Sequence, residues 1–128
     1  MKTLIVDEND VSRAQLVSLL KGYGDCETAA DAARAFDMYI QAGFGSSYDL
    51  LVVDIDPPGN GQAFVRKVQQ CADEQRGKVS PVPILMITAK ADVKCVAPFC
   101  HIGREGYCVK PVSTDPLRWA LAGIGVIR

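Results

Sequence analysis

At 128 residues the chain has the usual size of one domain, long enough to bury about two thirds of its unfolded surface in one core. Its 14 Lys and Arg stand against 15 Asp and Glu, a formal net charge of -1, which leaves no cationic excess for a polyphosphate backbone and argues against direct nucleic-acid binding. Apolar runs such as residues 50–53 and 84–87 are far too short to span a bilayer, and Met1-Lys2 leads straight into a strand without the apolar stretch of a signal peptide, so no membrane insertion and a cytoplasmic location are expected.

Residues 3–6 are a short β-rich apolar run ending in Asp7-Glu8. Asn9 or Asp10 then caps a helix whose apolar stripe is Leu16, Val17 and Leu20. Gly22 and Gly24 end it, and residues 26–29 give a second short strand. Asp31 caps a second helix with Ala32, Phe36, Tyr39 and Ile40 at the spacing of an inward face. After the loop 43–47, residues 50–53 are a continuous apolar run that stops at Asp54, the pattern of a strand buried on both faces.

Pro57, Pro58, Gly59, Asn60 and Gly61 force a turn, after which Phe64, Val68, Cys71 and Ala72 mark a third helix. A loop over 77–83 leads to another buried strand, 84–87, which ends in Thr88-Ala89. Between 91 and 103 a fourth helix is expected to be short or broken, because Pro98 is tolerated only in a first turn. Residues 107–109 form a brief fifth strand ending in Lys110-Pro111. Ser113 or Thr114 caps a fifth helix, with Pro116 in its first turn and Leu117, Leu121 and Ile124 inward.

The five cysteines, Cys26, Cys71, Cys95, Cys100 and Cys108, are an odd number without C-x-x-C spacing, which reads as buried free thiols and not as a disulfide framework or a zinc site. Cys95, Cys100 and His101 cluster in sequence, but three candidate ligands lack a fourth.

Strands alternating with helices imply an α/β fold for residues 1–128: a parallel sheet, about five helices on both its faces, and right-handed crossovers. In such sheets ligands bind beyond the carboxyl ends of the strands. That rule singles out Asp7, Glu8, Asp54, Thr88 and Lys110 together. Each has a plain explanation alone, as a strand end or a cap. Four strand ends supplying acids, a hydroxyl and an ammonium to one edge are harder to attribute to chance.

Three carboxylates brought within a few ångströms would repel one another unless a cation lay between them, and oxygen-only ligands suit Mg²⁺. A lysine opposite a metal suits a second anionic group, an incoming phosphoryl. Phosphoryl transfer needs mainly positioning and neutralisation of the equatorial oxygens, work that Mg²⁺, Lys110 and the Thr88 hydroxyl can share, with Asp54 as nucleophile.

The runs V-D-E at 6–8, V-D-I-D-P-P-G at 53–59, I-T-A at 87–89 and Y-C-V-K-P at 107–111 resemble, in order and separation, the receiver domain of two-component response regulators, a family that includes the chemotaxis receivers. The resemblance covers nearly the whole chain. It implies a flavodoxin-like, doubly wound sheet of order 2-1-3-4-5. It implies Asp54 as phospho-acceptor, Thr88 and Lys110 as its catalytic partners, and a metal shell of Glu8, Asp7 through water, Asp54 and the backbone carbonyl of Asp56. It implies a cis bond at Lys110-Pro111, and a switch in which Thr88 and the ring of Tyr107 move together and alter the surface of the fourth helix, fifth strand and fifth helix. The implied partners are a sensor histidine kinase or histidine phosphotransfer protein upstream, an effector protein or domain downstream, and a second copy dimerising through that surface. No enzymatic activity beyond self-catalysed phosphorylation and dephosphorylation of Asp54 is implied, and no output domain follows within 1–128.

Three positions depart from the family pattern. The loop after Asp54 is one residue short with proline where methionine is common, Glu8 stands where aspartate is usual, and Asp56 adds a carboxylate beside the site. Two other readings stay open. One is a pseudo-receiver, an interaction module of the same fold that is not phosphorylated. The other is a haloacid-dehalogenase-type phosphatase, suggested by Asp54-Ile55-Asp56, although that family carries this motif on its first strand and its metal acids after the lysine, where this chain has only Asp115.

Overall fold

The computed structural model describes residues 1–44, 46–56, 60–78, 81–89 and 105–127. Five strands, β1 (Lys2–Val6), β2 (Asp25–Ala29), β3 (Leu50–Asp54), β4 (Ile84–Thr88) and β5 (Glu105–Val109), make one sheet of order β2-β1-β3-β4-β5. All four pairings are parallel. The described helices are α1 (Asp10–Leu20), α2 (Ala32–Gln41), α3 (Asn60–Glu74) and α4 (Thr114–Gly123), with a short 3-10 turn at Lys21–Tyr23. The expected order and class are thus met. The helix that the sequence places fifth is α4, and the segment 91–103, with Pro98, Cys95, Cys100 and His101, lies outside the described residues.

The alternation of side chains along each strand divides the core in two. On one face Leu4, Val6, Leu51, Val53, Ile84 and Met86 pack with Ala35 and Tyr39 of α2 and Phe64, Val65 and Val68 of α3. On the other, Ile5, Leu50, Val52, Leu85, Ile87 and Cys108 pack with Leu16 and Leu20 of α1 and Leu117 and Leu121 of α4. The central strands β1, β3 and β4 therefore read as continuous apolar runs, while the edge strand β2 keeps only Ala29 buried.

Local chemistry sets the helix starts. Asn9 accepts the backbone N–H of Ser12 at 2.9 Å and Asp31 that of Arg34 at 2.7 Å, each satisfying an otherwise unpaired donor. Ser113 occupies the cap position of α4 without a side-chain hydrogen bond. Two expectations need correction. Ile40 is 38 % exposed, because Ala35 and Tyr39 define the inward line of α2 and Ile40 lies beside it. β5 begins at Glu105, two residues before the apolar run, since parallel pairing with β4 extends over Gly106 and Glu105 whatever their propensity. Trp119, the sole tryptophan, is 67 % exposed on the outer side of α4. Among the described residues no helix is long and apolar enough to cross a membrane; Cys26, Cys71 and Cys108 are free thiols, but only Cys108 is buried as expected, Cys26 and Cys71 being partly exposed, and the loss of solvent around each pushes its pKa up.

Candidate functional site

The carboxyl ends of β1, β3, β4 and β5 bring the expected residues to one edge. β1 pairs with β3 so that Val6 lies opposite Val53, and the next residues are Asp7 and Asp54. β3 pairs with β4 so that Asp54 lies opposite Ile87, one residue before Thr88. Lys110 follows β5, its backbone N–H donating to the Thr88 carbonyl at 2.8 Å. The Lys110-Pro111 bond is cis, as the resemblance implies.

Asp54 is held on both oxygens. Its Oδ1 accepts the backbone N–H of Asp56 at 2.9 Å and its Oδ2 accepts from Lys110 Nζ at 2.7 Å. Lys110 also lies 3.2 Å from Asp56 Oδ2. Partial burial alone would lower the Lys110 pKa, but the two carboxylates raise it and keep the ammonium charged. The Asp56 side chain has further donors: the Thr88 hydroxyl at 2.7 Å to Oδ1 and the Ala89 backbone N–H at 2.8 Å to Oδ2. Burial alone would raise its pKa, yet the hydrogen bonds from Thr88, Ala89 and Lys110 prevail and hold it below the usual carboxylate range.

On the opposite side of Asp54, a small recess of about 10 Å³ is lined by Asp7, Glu8, Asp31, Asp54, Asn60 and Gly61. Asp7 is buried; its Oδ1 accepts the Asn9 backbone N–H at 2.9 Å, while its Oδ2 is buried without a hydrogen-bond partner. An orphaned buried carboxylate oxygen is costly, and a cation beside it would relieve the cost. Glu8 Oε2 accepts from Asn60 Nδ2 at 3.1 Å. Among the described residues no three acidic, histidine or cysteine side chains are gathered into a ready-made metal cage. Two or three carboxylates with waters in the remaining positions are what a Mg²⁺ site requires, and the orphaned oxygen of Asp7 and the oxygen-only donor set fit one. Gly61 closes the recess: a Cβ there would fall on the Asp54 carbonyl oxygen and against Val53.

Tyr107, the expected switch residue, is 38 % exposed on β5. Sequence reasoning missed one group at the edge, the Ala89 N–H, and the partners of another, the Asp56 carboxylate. The backbone N–H of Ala89 is a donor whatever the residue type, so no sequence signal marks it. Asp56, expected to contribute its carbonyl, places its carboxylate on Thr88, Ala89 and Lys110; the signal was the acidic residue two positions after Asp54.

Residues 3–122 match the family model described as the response regulator receiver domain. The chemotaxis protein CheY of Pseudomonas aeruginosa is 34 % identical over 121 residues, covering 92 % of this chain and 90 % of its own. The solved structure of CheY4 from Vibrio cholerae superposes with a TM-score of 0.74 at 25 % identity, covering 96 % of this chain and 97 % of that one. A Saccharomyces cerevisiae receiver domain, that of Ssk1 co-crystallised with the histidine phosphotransfer protein Ypd1, shares the fold with a TM-score of 0.74 at 20 % identity, covering 94 % of this chain and 86 % of that one. With its sheet order, its acidic, hydroxyl and lysine strand ends and these likenesses, the chain belongs to the receiver domains of two-component response regulators.

Proposed function

We propose that this chain, residues 1–128 as one domain, is a phospho-accepting receiver of a two-component phosphorelay, with Asp54 as the acceptor. The observation that carries the reading is the ammonium of Lys110 placed 2.7 Å from Asp54 Oδ2, with the Thr88 hydroxyl and the Ala89 N–H on the same side. An Asp54 oxygen would bond to phosphorus as the donor's bond to phosphorus breaks and its electron pair leaves with the donor. Lys110, Thr88 and Ala89 supply the donors for the transferred oxygens. Asp7, Glu8, Asp54 and the Asp56 carbonyl would hold Mg²⁺, which when bound supplies positive charge against the acceptor and the incoming group. Beyond forming and losing this acyl phosphate the chain would turn over no substrate.

The donor would be a sensor histidine kinase or a histidine phosphotransfer protein, as the yeast receiver in the comparison was crystallised with one. Beside Lys110 a groove lined by Asn9, Val11, Gln15, Leu19, Pro111 and Val112, with Val11 69 % exposed, offers apolar surface next to the acceptor for such a partner. Output would pass through Thr88 and Tyr107 to the face of β5 and α4, which would bind an effector or a second copy; the fourth helix expected to share that face lies outside the described residues. A cytoplasmic location goes with this reading.

A pseudo-receiver is the second reading, favoured by the fact that Thr88, Ala89 and Lys110 already hold a carboxylate. Incubation with Mg²⁺ and acetyl phosphate separates the two. The expected result is one added phosphoryl group by mass, absent in Asp54→Asn; no Asp54-dependent adduct would sink the acceptor reading, and multiple turnover of phosphomonoesters would favour a phosphatase.

A further inference from the structure

Three donors converge on one small volume beside Asp54: the Thr88 hydroxyl, the Ala89 backbone N–H and the Lys110 ammonium. They come from the ends of two neighbouring strands, β4 and β5. Their common partner is the carboxylate of Asp56, with Oδ1 on Thr88 and Oδ2 shared by Ala89 and Lys110. Asp56 is fixed there from its own side as well, because its backbone N–H donates to Asp54 Oδ1. An anion with at least two oxygens therefore already sits next to the acceptor, supplied by the chain itself.

A phosphoryl group on Asp54 needs the same donors. Both ligands are anions, and like charges this close repel by several kcal/mol at the effective dielectric of a partly buried site. The two cannot occupy the donors together. Resting on the acceptor reading of Asp54, we propose that the Asp56 carboxylate is an internal stand-in for the phosphoryl group, a tethered competitor that must swing out before Asp54 is phosphorylated and that recaptures the donors when the phosphoryl leaves.

A tether of two residues gives the competitor a high effective concentration, so a group arriving from solution must outcompete it. A small phosphodonor in solution meets occupied donors, whereas a docked protein donor brings binding energy to displace Asp56. Displacing Asp56 thus adds a common cost to phosphorylation by any donor, which contacts from a docked protein can offset. The backbone carbonyl of Asp56, expected near the metal, is untouched by a change of side chain, which lets the two roles be separated.

The test is a titration with beryllofluoride in Mg²⁺, followed by amide NMR, on wild type, Asp56→Ala and Asp56→Asn. Before any addition, the Ala89 amide of wild type is expected downfield and protected from exchange, and upfield and less protected in Asp56→Ala. Beryllofluoride is then expected to saturate Asp56→Ala at about tenfold lower concentration or less, the scale of releasing charge-assisted hydrogen bonds, with Asp56→Asn in between. An Ala89 amide that does not respond to either substitution overturns the proposal, as do equal beryllofluoride affinities or weaker binding by the variants. Failure of the acceptor reading has a different signature: neither wild type nor variant binds beryllofluoride, even though the Ala89 amide still responds, and the competitor then has nothing to compete with. Should Asp56→Ala not fold, Asp56→Asn, which keeps the shape but loses one acceptor oxygen, carries the same comparison.

Discussion

Lys110 Nζ lies 2.7 Å from Asp54 Oδ2, and this contact spans strands that are not neighbours, since β4 runs between β3 and β5. The lysine reaches over the end of β4 to meet the acceptor. Lys110→Ala should therefore lower the rate of phosphorylation by acetyl phosphate about 100-fold, the scale of losing one charged donor to the transferred group. Lys110→Arg should restore little, because a planar fork does not replace a point ammonium between two carboxylates. Thermal stability should change by only about 1 kcal/mol, as the pair is partly exposed. Phosphorylation time courses and melting curves measure the two effects.

Asp7 should show opposite effects on stability and on metal affinity. Its Oδ2 is buried and unpartnered, so Asp7→Asn should raise the melting temperature in the absence of divalent cations while weakening Mg²⁺ binding about tenfold or more. Calorimetric titration with Mg²⁺ and a parallel melt with chelator measure both. A variant that loses stability and keeps its Mg²⁺ affinity would contradict the role given to Asp7.

Gly61→Ala should damage the site from behind. The new Cβ would strike the Asp54 carbonyl oxygen, and relief requires moving β3 or the start of α3. A loss of about 1–3 kcal/mol in urea unfolding is expected, together with slower phosphorylation of Asp54.

The caps give an internal control on stability. Asn9→Ala and Asp31→Ala each remove a side-chain acceptor from a helix N-terminus and should cost about 1 kcal/mol. Ser113→Ala removes no such bond and should cost less than about half of that. Denaturant unfolding of the three variants tests the order.

Alkaline unfolding should carry a signature of Tyr39. Burial, with a smaller contribution from the Cys71 charge, pushes its hydroxyl up to about 12. The folded state holds the proton more tightly than the unfolded chain, which releases it near pH 10. Stability from this group is complete below about pH 10 and is lost as pH rises towards about 12. Tyr39→Phe should be less sensitive over that interval, read as the slope of unfolding free energy against pH relative to wild type.

The sheet was legible in the sequence because its central strands are buried on both faces, so residues 50–53 and 84–87 stand out as unbroken apolar runs. The strand ends then followed, and with them Asp7, Asp54, Thr88 and Lys110. Less legible were features that depend on a neighbour. Glu105 is in a strand because β4 pairs with it, and Ile40 turns outward because Ala35 and Tyr39 take the space against the sheet. At the site, the position of Asp56 was readable but the destination of its carboxylate was not, since two of its partners lie 32 and 33 residues away on β4 and in the turn after it.

Trp119 projects from α4 with two thirds of its surface in solvent. An indole already bathed in water changes its emission little when the chain unfolds, so its fluorescence is a poor gauge of folding. The same exposure makes it an optical probe of whatever comes to rest on α4: with no other tryptophan in the chain, quenching or a blue shift on adding a second protein reports contact at that helix, without a label.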